Sequence, residues 1–174
     1  MPAESVDSLF AKFIDAGTPI LAHANGDAAA DLFVNALNRS IDTSNIPDHR
    51  TVMIHAQTVR EDQLNIMAEM KAIPSFFSAH TFYWGDWHRD SVFGEERASR
   101  ISPTQSSLDK GIVFTVHNDS PVVPPDMIRL LWATTNRLTR SGQVLGQEQR
   151  ISTLDAIKAC LLYTSDAADD SLRV

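Results

Sequence analysis

The chain has 174 residues, of which 43% are apolar and 21% are charged, a balance typical of a globular domain with its own core. Its formal net charge is −7 and its basic residues form no cluster, so no nucleic-acid partner is expected, because phosphate binding needs concentrated positive charge. No apolar run approaches the roughly 18 residues that span a bilayer, so no membrane partner is expected either.

The first part of the chain alternates predicted helices with predicted strands. Apolar residues recur at helical spacing over residues 6–14, and a strand-like run then ends at His23. A second helix follows, and a polar loop at 45–50 separates it from a strand over 51–55. A third helix is expected from about residue 60 to residue 71. This alternating order favours a parallel sheet.

The remaining elements continue the alternation. Residues 73–80 predict a third strand that ends at His80, followed by an aromatic loop over 81–90 that is expected to lie beside the strand ends. A short helix is expected over 102–111, with a proline in its first turn. A fourth strand then leads to Asp119, and the longest helix of the chain is expected to run from Pro124 to Leu138.

Three metal-ligand side chains each follow a predicted strand. His23 and His55 end the first and second strands, and Asp119 comes directly after the fourth. In a parallel α/β barrel the carboxyl ends of the strands meet on one open face, where catalytic groups collect. Two imidazoles and a carboxylate suit a divalent metal such as zinc. The spacing therefore predicts part of a metal-dependent hydrolase site.

The motifs around these residues resemble a known family. The segments H-A-N-G-D-A-A from His23, I-H-A-Q around His55 and H-N-D-S-P-V around Asp119 occur in this order. They resemble the later motifs of the amidohydrolase superfamily, most of all its YtcJ-like and N-substituted-formamide-deformylase-like branch. The resemblance runs from about residue 5 to about residue 159. It implies a partial (β/α)8 TIM barrel that contains roughly strands five to eight with their helices.

The resemblance also implies an activity. Such enzymes hydrolyse C–N bonds of amides or formamides, and a metal-activated water attacks the carbonyl. By motif, His23, His55 and Asp119 bind the metal, and Asp119 is also the catalytic proton shuttle. The cofactor implied is a divalent metal, with zinc favoured and one or two ions in the full-length enzyme. For the small amide-type substrate we expect contacts from His80 and Trp84.

Other parts of the family pattern are missing. The chain has no His-x-His pair of the kind that strand one supplies, and 174 residues are too few for a whole barrel. Residues 1–159 are therefore interpreted as the C-terminal half of an amidohydrolase barrel, inactive without its N-terminal half. A homo-oligomer formed through exposed strand edges is an open alternative. Residues 160–174 resemble a translated sequencing adapter and are interpreted as a non-native tail that interrupts a helix begun at 151–159.

Two other functions remain open at this point. One is a non-catalytic α/β half-barrel that serves as a binding or interaction protein. The other is a related cyclic-amidase or deaminase activity with the same metal ligands. The only cysteine, Cys160, permits no internal disulfide, and the N-terminal residues lack a secretory signal, so a cytoplasmic location is expected.

Overall fold

The computed structural model describes residues 1–42 and 48–171, with side chains up to residue 162 except that of residue 42. Residues 45–47 of the polar loop predicted at 45–50 lie outside the described residues. Helices and strands alternate as the sequence predicts. In chain order they are α1 (Ala3–Asp15), β1 (Leu21–Ala24), α2 (Asp27–Asp42), β2 (Val52–His55), α3 (Glu61–Met70), β3 (Ile73–Phe76), α4 (His80–Trp87), a π-helix (His88–Phe93), α5 (Gly94–Ser99), α6 (Thr104–Asp109), β4 (Thr115–Val116), α7 (Met127–Asn136), a 3₁₀ turn (Gln147–Gln149) and α8 (Thr153–Ser171).

The four strands form one sheet in the order β1-β2-β3-β4. β1 and β2 are parallel, and His23 pairs with Ile54 while Ala24 pairs with His55. Consecutive parallel strands joined by helices are the unit from which α/β barrels are built. The predicted α/β class and its partial-barrel character are therefore confirmed.

The chain divides into two compact units. The first contains residues 1–75 and 106–113, and the second contains residues 76–105 and 114–174. In the first unit the rings of Phe10 and Phe33 meet edge to face, with centroids 5.2 Å apart, where α1 packs on α2. The amphipathic pattern of both helices explains this packing, because their apolar faces are the ones that need burial.

The second unit is organised around a buried arginine. Arg137 is fully buried and has a left-handed backbone (φ 51°), which ends α7 one residue earlier. The chain then turns into a short hairpin, closed by an antiparallel bridge between Leu138 and Val144. The guanidinium donates to the backbone carbonyl of Leu145 at the end of the hairpin. It also donates to three carbonyls at the end of α5 and just after it, those of Ser99, Ile101 and Ser102, which ties the hairpin to this segment.

Three predictions about local structure were wrong. The third strand ends at Phe76 and not at His80, and the aromatic segment predicted as a loop forms α4 and the start of the π-helix. Gly85 lies inside α4, where a Cβ would come within 2.8 Å of Thr139. A glycine at this position therefore permits close packing and does not mark a turn. α7 has 10 residues and is shorter than α2 with 16, because Arg137 ends it.

The final helix passes through the point where a non-native tail was predicted to begin. α8 starts at Thr153, with the Ser152 hydroxyl accepting a hydrogen bond from the Asp155 backbone, and its backbone stays helical to Ser171. Burial raises the pKa of the Cys160 thiol. The backbone therefore has no break at residue 160, and the non-native origin of residues 160–174 stays a prediction.

Candidate metal centre

The first unit brings together two of the three predicted metal ligands. The rings of His23 and His55 meet edge to face, with their centroids 4.6 Å apart and their planes at 76°. Both residues lie at the carboxyl ends of neighbouring parallel strands, as the barrel geometry requires. His55 is buried, whereas His23 is exposed on the strand that stands at the end of the sheet order.

The backbone of His55 explains how the two rings meet. His23 pairs with Ile54, so regular alternation along β2 would point His55 to the opposite face of the sheet. His55 instead has a φ of 75°, and Ala56 after it has a φ of 47°. Left-handed conformations are strained for residues other than glycine and collect at functional sites. This left-handed backbone turns the His55 side chain away from the regular alternation and towards the His23 ring.

The second unit holds the third predicted ligand beside an additional histidine. A ring nitrogen of His117 and a carboxylate oxygen of Asp119 lie within 4.8 Å of each other, and both residues are half-buried. The backbone N–H of His117 donates to the carbonyl of Phe76, which fixes the end of β4. Asp119 also has a left-handed backbone, with a φ of 52°. All three predicted ligands therefore lie at or just beyond strand ends, and two of them are strained.

His117 is a potential metal ligand that was not among the predicted ligands. Its imidazole nitrogens make it a third histidine donor among the described residues near strand ends. The signal in the sequence was its spacing of two from Asp119, which puts both side chains on the same side of an extended chain. This spacing alone does not distinguish a metal ligand from a residue that merely lies nearby. The distance between the ligand atoms is needed as well.

The two residues predicted to contact substrate share a group of rings in the second unit. His80 begins α4 and its ring lies 4.3 Å from that of Phe77 and 5.4 Å from that of Trp84, centroid to centroid. Phe77 is buried and also stacks on the His117 ring at 5.7 Å. His80 and Trp84 are half-buried and therefore accessible from one side. Phe77 connects them to the His117 and Asp119 pair.

A second histidine extends this ring group towards the interior. His88, the first residue of the π-helix, is buried, and its ring stacks on Phe93 with centroids 5.2 Å apart. Burial lowers the pKa of His88, because the charged imidazolium is poorly solvated there. At neutral pH the His88 side chain is therefore uncharged, and it belongs to the same group of rings as His80.

The donor types at these strand ends match a divalent metal. Neutral imidazole nitrogen and carboxylate oxygen are the usual protein ligands of zinc and related ions. The residues that can supply them are His23 and His55 in the first unit and His117 and Asp119 in the second. The chemistry of the donor set therefore fits a divalent metal, and it does not select zinc over other ions.

Comparison with known proteins shows the family. The sequence profile described as "Amidohydrolase family" matches residues 1–169, which is nearly the whole chain. The chain therefore belongs to the amidohydrolase family, whose members are enzymes. None of the curated proteins matches it.

Solved structures show the same fold. The chain is similar to an uncharacterized metal-dependent hydrolase from Pyrococcus horikoshii OT3, with a TM-score of 0.76 and 24% identity over 91% of this chain and 31% of that one. A second such hydrolase, from Pyrococcus furiosus, has a TM-score of 0.73 at 24% identity, with coverages of 91% and 31%. Guanine deaminase from C. acetobutylicum, solved with bound guanine, has a TM-score of 0.58 at 13% identity, over 92% of this chain and 38% of that one. This chain thus spans less than two fifths of the length of these structures.

Proposed function

We propose that the chain forms part of a metal-dependent amidohydrolase that cleaves a C–N bond of an amide or formamide. Its family membership and the pair of strand-end imidazoles of His23 and His55 support this function. The imidazole pair carries most of the argument, because the left-handed backbone at His55, beside the His23 ring, is the kind of strain that collects at functional sites.

The proposed roles follow from the chemistry of each side chain. His23 and His55 would hold the metal through ring nitrogens, and Asp119 would bind it through a carboxylate oxygen. A bound divalent metal lowers the pKa of a water molecule and polarises a carbonyl group. Asp119 would accept a proton on its carboxylate and release it to the leaving nitrogen. The ring faces of His80 and Trp84 would orient the substrate, since ligand pockets are commonly lined by aromatic residues.

Zinc binding by the purified chain tests the ligand set. We expect weak zinc binding, measured by competition with a chelating dye, because the site lacks the ligands that strand one supplies in this family. His23→Ala, His55→Ala and Asp119→Asn should each weaken it more than about tenfold, since loss of even an outer partner of a metal ligand has that effect. His80→Asn, a histidine outside the proposed ligand set, is the matched control and should leave zinc affinity unchanged.

The zinc titration also separates the alternative function. A non-catalytic half-barrel that serves only as an interaction protein has no need to bind metal, so the absence of zinc binding would favour it. Tight zinc binding by a monomeric, cooperatively folding chain would contradict the proposal that the rest of a barrel is required. A deaminase activity draws no support from the guanine deaminase structure, whose likeness at 13% identity establishes the fold alone.

We further propose that additional barrel strands complete the enzyme. β1 stands at the end of the sheet order, and Leu21 on it is 61% exposed. Beside β1 lies a cavity of about 410 Å³ lined almost entirely by apolar side chains of α1, β1 and α2. An N-terminal half-barrel would pair with β1 and fill this cavity. Without it, an open apolar strand edge favours self-association.

Light scattering after size exclusion tests the strand edge. Leu21→Lys places a charge on the outer strand and should shift the chain towards monomer. Ile128→Lys, an equally drastic change at an exposed residue of α7, is the control and should leave the association unchanged. Equal effects of both variants would show that β1 is not the contact. A cytoplasmic location stays a prediction, and the structure adds only that none of its described helices is long and apolar enough to cross a membrane.

A further inference from the structure

A group of exposed arginines and aromatic rings lies in the second unit, built from other residues than the candidate metal centre. The arginine–aromatic cluster consists of Phe82 and Tyr83 on α4, Arg129 and Trp132 on α7, and Arg140 in the hairpin after α7. The Phe82 ring lies at its centre, 5.1 Å from the Tyr83 ring and 5.5 Å from the Trp132 ring.

Both guanidinium groups lie over the same ring. The guanidinium carbon of Arg129 is 4.8 Å from the Phe82 centroid, and that of Arg140 is 5.9 Å from it. Arg129 also lies 5.7 Å from the Trp132 centroid, and Arg140 lies 5.4 Å from that of Tyr83. A guanidinium stacked on a ring keeps its N–H edge available for bidentate bonds to an oxyanion. The rings therefore hold two cationic donors in a defined place.

None of the described acidic side chains forms an ion pair with either guanidinium. In the part of the chain that the structure describes, neither the Arg129 nor the Arg140 side chain has an ion pair or a hydrogen bond. Two carboxylates on or beside the same helices make other hydrogen bonds: Asp126 accepts from the backbone N–H of Arg129, and Asp86 on α4 accepts from Ser141. Two neighbouring uncompensated arginines are unexpected in a chain of net charge −7. Because both guanidinium carbons lie within 5.9 Å of the Phe82 centroid, both charges would attract an anion bound beside this ring.

The hairpin that carries Arg140 is held firmly. Asp86 on α4 accepts hydrogen bonds from both the backbone N–H and the hydroxyl of Ser141, at 2.9 and 2.6 Å. Arg89 donates to the side chain of Gln143 at 2.6 Å. The backbone at Arg140 is therefore held against α4. Less conformational entropy is lost when the Arg140 side chain binds a ligand.

We propose that the arginine–aromatic cluster binds a small ligand that carries a phosphate group. A phosphate ester has close to two negative charges and three acceptor oxygens on one compact group, which matches two guanidinium forks. The Tyr83 hydroxyl and the Trp132 indole N–H add two neutral donors, and neither has a hydrogen-bond partner among the described residues. Carboxylates of an acidic peptide would spread the same charge over a longer surface.

Calorimetric titration with pyrophosphate tests the proposal. The ionic strength is held constant with sodium chloride, and a chelator removes divalent metal so that the candidate metal centre does not contribute. We expect saturable binding at one site, weakened at least about tenfold by Arg129→Gln and by Arg140→Gln. Arg129→Lys, which keeps the charge but loses the fork, should be intermediate. Arg50→Gln removes an exposed guanidinium in the other unit and should change the affinity less than about twofold.

Three results would overturn the phosphate site. They are the absence of saturable binding, an equal loss in Arg50→Gln, and stronger competition from a glutamate-rich peptide than from inorganic phosphate. A second readout is the indole N–H resonance of Trp132, assigned with Trp132→Phe, which should shift with pyrophosphate and not with chloride. Thermal unfolding of each variant confirms that it is folded. Because metal is absent throughout, the result is independent of the proposed hydrolase function.

Discussion

His23 and His55 lie on neighbouring parallel strands with their ring centroids 4.6 Å apart, although strand alternation would point the two side chains to opposite faces. The left-handed backbone at His55 resolves this conflict and carries a conformational cost. A residue kept in a costly conformation, with its side chain against another potential ligand, is expected where function opposes stability.

The strain at His55 predicts an unusual order of variant stabilities. Glycine normally destabilises a strand relative to alanine, but at a φ of 75° it avoids the clash that alanine retains. His55→Gly should therefore be more stable than His55→Ala by about 1 kcal/mol, while both lose zinc affinity. Urea denaturation measures the difference. At Ile54, where β2 is regular, alanine should be the more stable of the two.

The buried guanidinium of Arg137 predicts a large loss of stability on truncation. Burial lowers its pKa to about 10, so it remains charged at neutral pH and its donated bonds are charge-assisted. Arg137→Met would leave four carbonyls without their donor and should lower the free energy of unfolding by at least about 3 kcal/mol. Arg50 has a similar backbone (φ 46°) but an exposed side chain, and Arg50→Met should change stability by about 0.5 kcal/mol or less. Similar losses in both variants would contradict the role of the Arg137 hydrogen bonds in stabilising this unit.

The buried imidazole of His88 predicts a pH dependence. Burial lowers its pKa in the folded state, so below the ordinary value of about 6.5 the unfolded chain binds the proton first. The stabilisation is complete above that value and is lost as the pH falls through the folded-state pKa. His88→Phe should therefore narrow the difference in unfolding free energy between about pH 7.5 and about pH 5. An unchanged difference would mean that other groups cause the whole effect.

The hairpin glycines predict a contrast between two similar substitutions. Gly146 and Gly142 both have positive φ, at 70° and 81°. A Cβ at Gly146 would lie 1.8 Å from the Ser99 carbonyl oxygen, whereas at Gly142 it would meet nothing within 4 Å. Gly142→Ala should lose about 1 kcal/mol from backbone strain alone, and Gly146→Ala should lose at least about 3 kcal/mol. Thermal unfolding of both variants measures the contrast, and equal losses would contradict the close approach.

The strand-end positions of the three proposed ligands could be predicted from the order of the residues. His23, His55 and Asp119 each end an apolar run, and the structure places each at or just past a strand end. The approach of His117 to Asp119 could not be predicted, since spacing along a chain does not fix a distance. The helical aromatic segment was missed because Gly85 suggests a loop, and its packing against Thr139 is a contact between residues distant in sequence.

The sequence by itself determined the alternation of helices and strands, the parallel sheet and the types of candidate metal donor, because hydrophobic periodicity and residue chemistry are local properties. The tertiary structure alone decided which rings meet, how α7 ends and where two arginines share one aromatic ring. These features depend on left-handed backbone positions and on long-range packing, as at His55, Arg137 and Phe82. Such contacts have no signature in the neighbouring residues, because the groups that meet lie far apart along the chain.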